Sequence, residues 1–169
     1  MSATGLVVMG VSGAGKTTVA RELAERLGWP MAEGDDYHPA SSIAKMESGT
    51  PLTDGDRAPW LLSLRDWISA RAAAGQSCVL ACSALKRSYR DILSGAGARV
   101  RFVHLSGSRE VIGARIAARS GHFMPPGLLD SQFGDLEPLG PDEDGVVVDV
   151  AAAPERIART AIEELGLPR

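Results

Sequence analysis

The sequence predicts an α/β protein built around one mostly parallel sheet of five strands. Three observations point there. Short apolar runs alternate with amphipathic helical patterns along the whole chain, which is the order of strand–helix–strand units. A glycine-rich turn joins the first apolar run to the first amphipathic segment. The length of 169 residues suits a single domain with a sizeable core.

Leu6 to Met9 reads as a buried strand and Lys16 to Leu27 as a helix, with Val19, Leu23 and Leu27 on one stripe and Gly28 at its end. Trp29 to Ala32 is a weak second strand. Ala40 to Glu47 is a short helix stopped by Ser48 and Gly49. Pro59 to Ala74 is a longer one, with Pro59 in its first turn and Trp60, Leu64 and Trp67 sharing a face. Cys78 to Ala81 is a strand, Lys86 to Leu93 a helix, and Val100 to Leu105 a strand. Ser108 caps a helix running to about Ser120. A Gly/Pro-rich break over 121–127 precedes a short helix near Leu128 to Phe133, and the acidic segment 137–145 reads as a surface loop. Val146 to Val150 is the last strand, and Pro154 to Leu165 is the last helix, ended by Gly166.

The formal net charge of −3 argues against a broad basic surface for nucleic acid or anionic membrane. The N-terminal apolar stretch, Leu6 to Met9, is shorter than a signal peptide or membrane span requires. Cys78 and Cys82, four apart on one run, cannot bridge along a strand and read as buried free thiols. Together these features predict a cytoplasmic protein. Of the 18 basic residues only Lys16, Lys45 and Lys86 are lysines. Lysine offers a compact charge on a flexible stem, and all three are expected to face one site.

Gly10-Val-Ser-Gly-Ala-Gly-Lys-Thr17 matches the phosphate-binding loop in full, between a strand and a helix as the motif requires. The backbone N–H groups of Gly10, Val11, Ser12, Gly13, Ala14 and Gly15 bend around nucleotide phosphates. Lys16 reaches the β- and γ-phosphates, and the Thr17 hydroxyl ligates Mg²⁺. The expected fold is therefore a three-layer P-loop NTPase. The chain contains no asparagine, so it lacks the segment with which GTPases read guanine. No acidic residue closes a long apolar strand as in ATPase motors, Asp149 in the last strand being the one candidate. A kinase using ATP is the reading that remains.

The acceptor side is read at the carboxyl ends of the strands. In Glu33-Gly-Asp-Asp-Tyr-His-Pro39, Asp35 or Asp36 could orient the acceptor hydroxyl, take its proton and hold Mg²⁺ through water. The same spacing suits equally an Asp-rich turn capping the next helix. Lys45 and Arg57 flank a polar stretch, 49–56, that reads as a binding loop. Lys86 and Arg87 follow the third strand. These basic groups suit an anionic acceptor, against the alternative of ordinary solvated cations. Arg115 and Arg119 lie four apart on a helical face ahead of the Gly/Pro-rich break. They predict a lid within 115–136 that excludes water and brings positive charge to the transferring group.

On these residues the sequence resembles the gluconokinase family of P-loop sugar-acid kinases. Beyond the phosphate loop, the matching segments include Gly34-Asp-x-x-His-Pro39, Ile43-x-Lys-Met46, Gly49-x-Pro-Leu52, Asp56-Arg-x-Pro-Trp-Leu61, Ser83-Ala-Leu-Lys86, Tyr89-Arg-Asp91, His122-Phe-Met124 and Ser131-Gln-Phe133. The resemblance implies an adenylate-kinase-like core and transfer of the ATP γ-phosphoryl group to D-gluconate. It implies Asp35 beside the acceptor hydroxyl, and His38, Lys45, Arg57 and Lys86 around the acid. It also implies Arg115 and Arg119 on the nucleotide phosphates, His122 and Gln132 as substrate-binding residues of the lid region, and the homodimer that family members often form. One departure stands out: the family's usual asparagine before the isoleucine is Ser42 here. The alternatives are a shikimate-type or other small-acid kinase and, in a different class, an ATP-binding regulatory module without catalysis.

Overall fold

The computed structural model describes residues 3–50, 52–118 and 126–168. Five parallel strands form the sheet: β1 (Thr4–Met9), β2 (Met31–Glu33), β3 (Cys78–Ala81), β4 (Arg99–Ser106) and β5 (Gly145–Asp149), in the spatial order β2-β3-β1-β4-β5. β1 is central and pairs β3 on one side and β4 on the other. The strand order reverses there, so the loop leaving β1 opens into the crevice where such sheets bind ligands.

The helices are α1 (Lys16–Leu27), α2 (Ala40–Glu47), α3 (Asp54–Ala73), α4 (Arg87–Ser94), α5 (Arg109–Ala118), α6 (Pro126–Asp135) and α7 (Pro154–Leu165). Alternation along β1 divides them into two layers. Leu6 and Val8 point into a core with Val19 and Leu23 of α1 and Ile157 and Ile162 of α7. Val7 and Met9 point into a second core with Trp60, Leu61 and Leu64 of α3 and Leu93 of α4. Both thiols are buried and free. Burial pushes Cys78 up to about 11 and Cys82 up to about 12, which keeps them protonated.

Several element ends differ from expectation by one to five residues, and two of these shifts have a plain cause. The second strand starts two residues later, because Trp29 N–H still bonds the Ala24 carbonyl at the exit of α1. The long helix starts five residues earlier than Pro59. Thr53 and Asp56 form a capping box, each side chain accepting the other's backbone N–H. Proline at 59 therefore lies inside α3 rather than in its first turn. The stretch 49–56 is accordingly not one loop: its last three residues are the first turn of α3.

A buried ion pair braces the sheet edge that carries the predicted acceptor residues. Arg90 of α4 meets Glu143 through Nε at 2.6 Å and Nη2 at 3.0 Å, and its Nη1 donates to the carbonyls of Ala84 and Leu85. Their side chains are 1% and 7% exposed. The arginine holds the Glu143 carboxyl below its ordinary range. Burial, with Arg90 nearby, also lowers His104, whose buried Nδ1 has no partner among the described residues. Replacing Arg90 by methionine would strand a buried carboxylate and release three carbonyls, those of Ala84, Leu85 and Pro138. The expected loss is about 3–5 kcal/mol, read by urea denaturation; a loss below about 1 kcal/mol would show that the pair does not brace the fold.

Candidate active site

The loop after β1 wraps a cleft of about 240 Å³ lined by Ser12, Gly13, Gly15, Lys16, Thr17, Thr18, Glu33 and Asp35. Five of these come from the predicted phosphate loop, and Asp35 comes from the predicted acceptor segment. The loop is closely packed from behind. Val11 and Ala14 are buried, Ala14 N–H bonds the Val11 carbonyl, and Gly10 N–H bonds the Ser83 carbonyl at 3.2 Å. Gly13 has φ +85°, and a Cβ there would lie 2.7 Å from Cγ1 of Ile116 on α5. Only glycine allows both the turn and that approach.

Lys16 curls back over the loop, its Nζ 3.1 Å from the Val11 carbonyl oxygen. Burial lowers its pKa, opposed by the negative charge of Asp35 and Glu33. A half-buried ammonium with one carbonyl acceptor is under-coordinated, which suits it to receive anionic oxygens. Thr17 Oγ1 donates to Glu33 Oε2, and Glu33 Oε1 accepts from Asp35 N–H at 3.3 Å. Glu33 closes β2 and connects the loop to the acceptor segment. The sequence reading named it only as the first residue of that segment. The signal, a carboxylate ending a strand, depends on knowing where the strand ends, and three residues carry too little pattern to show it. Asp149, the other strand-end acid, instead accepts from Ala151 N–H in its own turn.

Gly34 to Tyr37 form a single 3₁₀ turn. A Cβ on Gly34 would stand 2.5 Å from the Ala81 carbonyl oxygen, so glycine lets this turn lie against the end of β3. Trp60 of α3 donates from Nε1 to the Gly34 carbonyl at 2.7 Å and stacks on His38 with centroids 4.1 Å apart. His38 Nε2 lies 3.6 Å from Asp35 Oδ1. α3 thereby fixes an imidazole beside Asp35. That neighbouring imidazole is the chief cause of the lowered Asp35 pKa; burial opposes the shift and Lys16 assists it. Asp36 is exposed and does not line the cleft.

The three cations expected on the acceptor side converge on the N-terminal part of α3. Lys45 Nζ meets Asp56 at 2.7 Å and Lys86 Nζ meets Asp54 at 3.0 Å. Arg57 Nη1 donates to the Tyr89 hydroxyl at 2.9 Å and lies 3.5 Å from Asp135 of α6. The Tyr89 hydroxyl donates in turn to Asp54 at 2.5 Å. Asp54, Tyr89 and Asp135 had no assigned role in the sequence reading. Tyr89 belonged to a matching segment, and the two aspartates were hidden in a stretch read as loop and in an unassigned helix end.

Gln132 of α6 grips the phosphate loop rather than the acceptor residues: its Oε1 accepts from Ser12 N–H at 2.7 Å and its Nε2 donates to Ser12 Oγ at 3.0 Å. Arg115 donates to the Val150 carbonyl at the end of β5 and is absent from the cleft lining. Arg119 and His122, with most of the expected hinge, lie outside the described residues. Ser42 is buried. The oxygen donors beside the loop, the Thr17 hydroxyl with the Glu33 and Asp35 carboxylates, are hard ligands of the kind Mg²⁺ accepts alongside phosphate oxygens and water. Among the described residues no helix is long and apolar enough to cross a membrane.

Comparison with known proteins agrees with this geometry. Residues 6–136 match the family model described as an AAA domain. The chain is 50% identical over 160 residues to the gluconokinase of Gluconobacter oxydans, covering 95% of this chain and 88% of that one. The unliganded crystal structure of a sugar kinase from Janibacter superposes with a TM-score of 0.93 at 50% identity, over 98% of this chain and 95% of that one. A gluconokinase structure from Sinorhizobium meliloti gives a TM-score of 0.86 at 45% identity, over 96% and 91%.

Proposed function

We infer the reaction from one premise: the chain belongs to the gluconokinase family. The protein is a kinase that transfers the γ-phosphoryl group of ATP to D-gluconate, giving 6-phospho-D-gluconate and ADP. The observation that carries this reading is that the Asp35 carboxylate lines the same cleft as Lys16 and Thr17. Phosphoryl transfer needs a hydroxyl beside a phosphate cradle, with a group there to orient it.

In this reading the loop N–H groups and Lys16 bind the triphosphate. Thr17 and, through water, Asp35 hold Mg²⁺, which offsets negative charge on the phosphates. Asp35 accepts a hydrogen bond from the 6-hydroxyl. As the hydroxyl oxygen bonds to the γ-phosphorus, the bond to the bridging oxygen of ADP breaks and Asp35 receives the proton. Lys45, Arg57, Lys86 and His38 surround the acid. Arg115, with Arg119, turns to the nucleotide phosphates, while Gln132 and His122 belong to the covering segment. The protein works in the cytoplasm, as a homodimer.

The test is ADP release by the purified protein with Mg·ATP and a panel of acids. D-gluconate is expected to stimulate turnover at least about tenfold more than shikimate, as a site whose buried polar groups fit one acid discriminates against another. Turnover on shikimate alone would move the reading to another acid kinase. Mg·ATP binding with no acid stimulating turnover would leave a nucleotide-binding module.

A further inference from the structure

We propose that Asp54 sets acceptor specificity by keeping the acid pocket charge-balanced, so that it admits a polyhydroxylated acid bearing one negative charge and rejects one bearing two. The proposal rests on the gluconate reading and names the class of acid the site selects.

Each of the cations expected around the acid is already partnered. Lys45 has Asp56, Lys86 has Asp54 and Arg57 has Asp135. Arg87, the remaining basic residue after β3, is engaged by Asp142. Three positive groups thus face three carboxylates. A single carboxylate can displace one aspartate from one cation, because the freed aspartate gains hydroxyl donors from the same ligand. A second carboxylate finds no unpartnered cation among Lys45, Arg57, Lys86 and Arg87, and it meets like charge.

Asp54 is the member best placed to act this way. It takes Lys86 Nζ and the Tyr89 hydroxyl on the same oxygen, Oδ1. Its side chain is 66% exposed, so its second oxygen is available to a ligand. Tyr89 ties it to Arg57, whose guanidinium lies 5.4 Å from the centre of the Tyr89 ring, with Lys86 at 5.6 Å. Two cations and one carboxylate are therefore organised around one phenol. This arrangement recognises a carboxylate and neighbouring hydroxyls together. The hydrogen bonds from Tyr89 and Lys86 also hold the Asp54 carboxyl below its ordinary range, so it stays charged throughout the working pH range.

The test compares D-gluconate as substrate with D-glucarate, a same-length acid carboxylated at both ends, as competitive inhibitor. Wild-type protein should bind glucarate at least about tenfold more weakly than gluconate. Asp54→Asn, which removes one negative charge with little change in shape, should tighten glucarate about tenfold and raise KM for gluconate, with KM for ATP unchanged. Tyr89→Phe keeps the charges and removes one hydroxyl. It should raise KM for gluconate and leave glucarate binding unchanged. If Asp54→Asn leaves glucarate inhibition as it was, or if both variants shift both acids alike, the charge-balance role is wrong. If wild-type protein does not phosphorylate gluconate, the underlying reading fails instead.

Discussion

Lys16→Ala is expected to lower kcat by at least about 10³-fold while leaving the fold intact. The magnitude follows from removing a preorganised positive charge from phosphates whose charge shifts during transfer. Stability should move differently. Burial lowers the Lys16 pKa below 10.5. The charged form is thus less favoured in the folded chain than in the unfolded one, and this penalty is present below the folded pKa and fades as pH rises towards the unfolded value. At neutral pH the variant loses a group that costs stability, so Tm without ligand should stay the same or rise slightly. The increase in Tm caused by Mg·ATP should largely disappear. Near-normal kcat would contradict the assignment of the loop, and a drop of many degrees in the ligand-free Tm would show that Lys16 braces the fold instead.

The phosphate cradle was legible in the sequence because its chemistry is local. Eight consecutive residues supply the turn, the ammonium and the hydroxyl, and the flanking periodicities identify the strand and helix around them. The five-stranded sheet was legible for a similar reason: buried parallel strands are short apolar runs between helical segments. The acceptor side was legible only in part. Lys45, Arg57 and Lys86 could be picked out as cations, but their partners Asp56, Asp135 and Asp54 could not. Those pairings join residues up to 78 positions apart. They also depend on α3 starting at Asp54, and Pro59 drew the expected start of the helix five residues too far along. The capping box that decides the matter uses aspartate where the usual pattern has glutamate or glutamine. Glu33 was missed because a three-residue edge strand carries too little pattern to reveal which residue ends it.

Asp35→Asn should reduce kcat by about 10²–10⁴-fold, with KM for ATP changed far less. In the proposed reaction this carboxylate works more by orientation than by strong basicity. His38, stacked on Trp60 and 3.6 Å from the Asp35 side chain, lowers its pKa below 3.8, with a smaller contribution from Lys16. A base so weak does not pull the proton away early. In a loose transition state it need not, since the hydroxyl becomes acidic only as its bond to phosphorus forms. The sign of the pH dependence follows. A depressed carboxylate is charged above its folded pKa, and both its catalytic role and its contribution to stability are lost only as pH falls through that value. On the acid side, kcat at saturating gluconate should therefore stay flat down to about pH 5, above the ordinary carboxylate range. Asp35→Asn should be slow across that whole span. A wild-type profile that already falls between about pH 7 and 6 would point to an imidazole rather than Asp35 as the titrating group, and an Asp35→Asn variant with near-normal kcat would remove this carboxylate from the reaction.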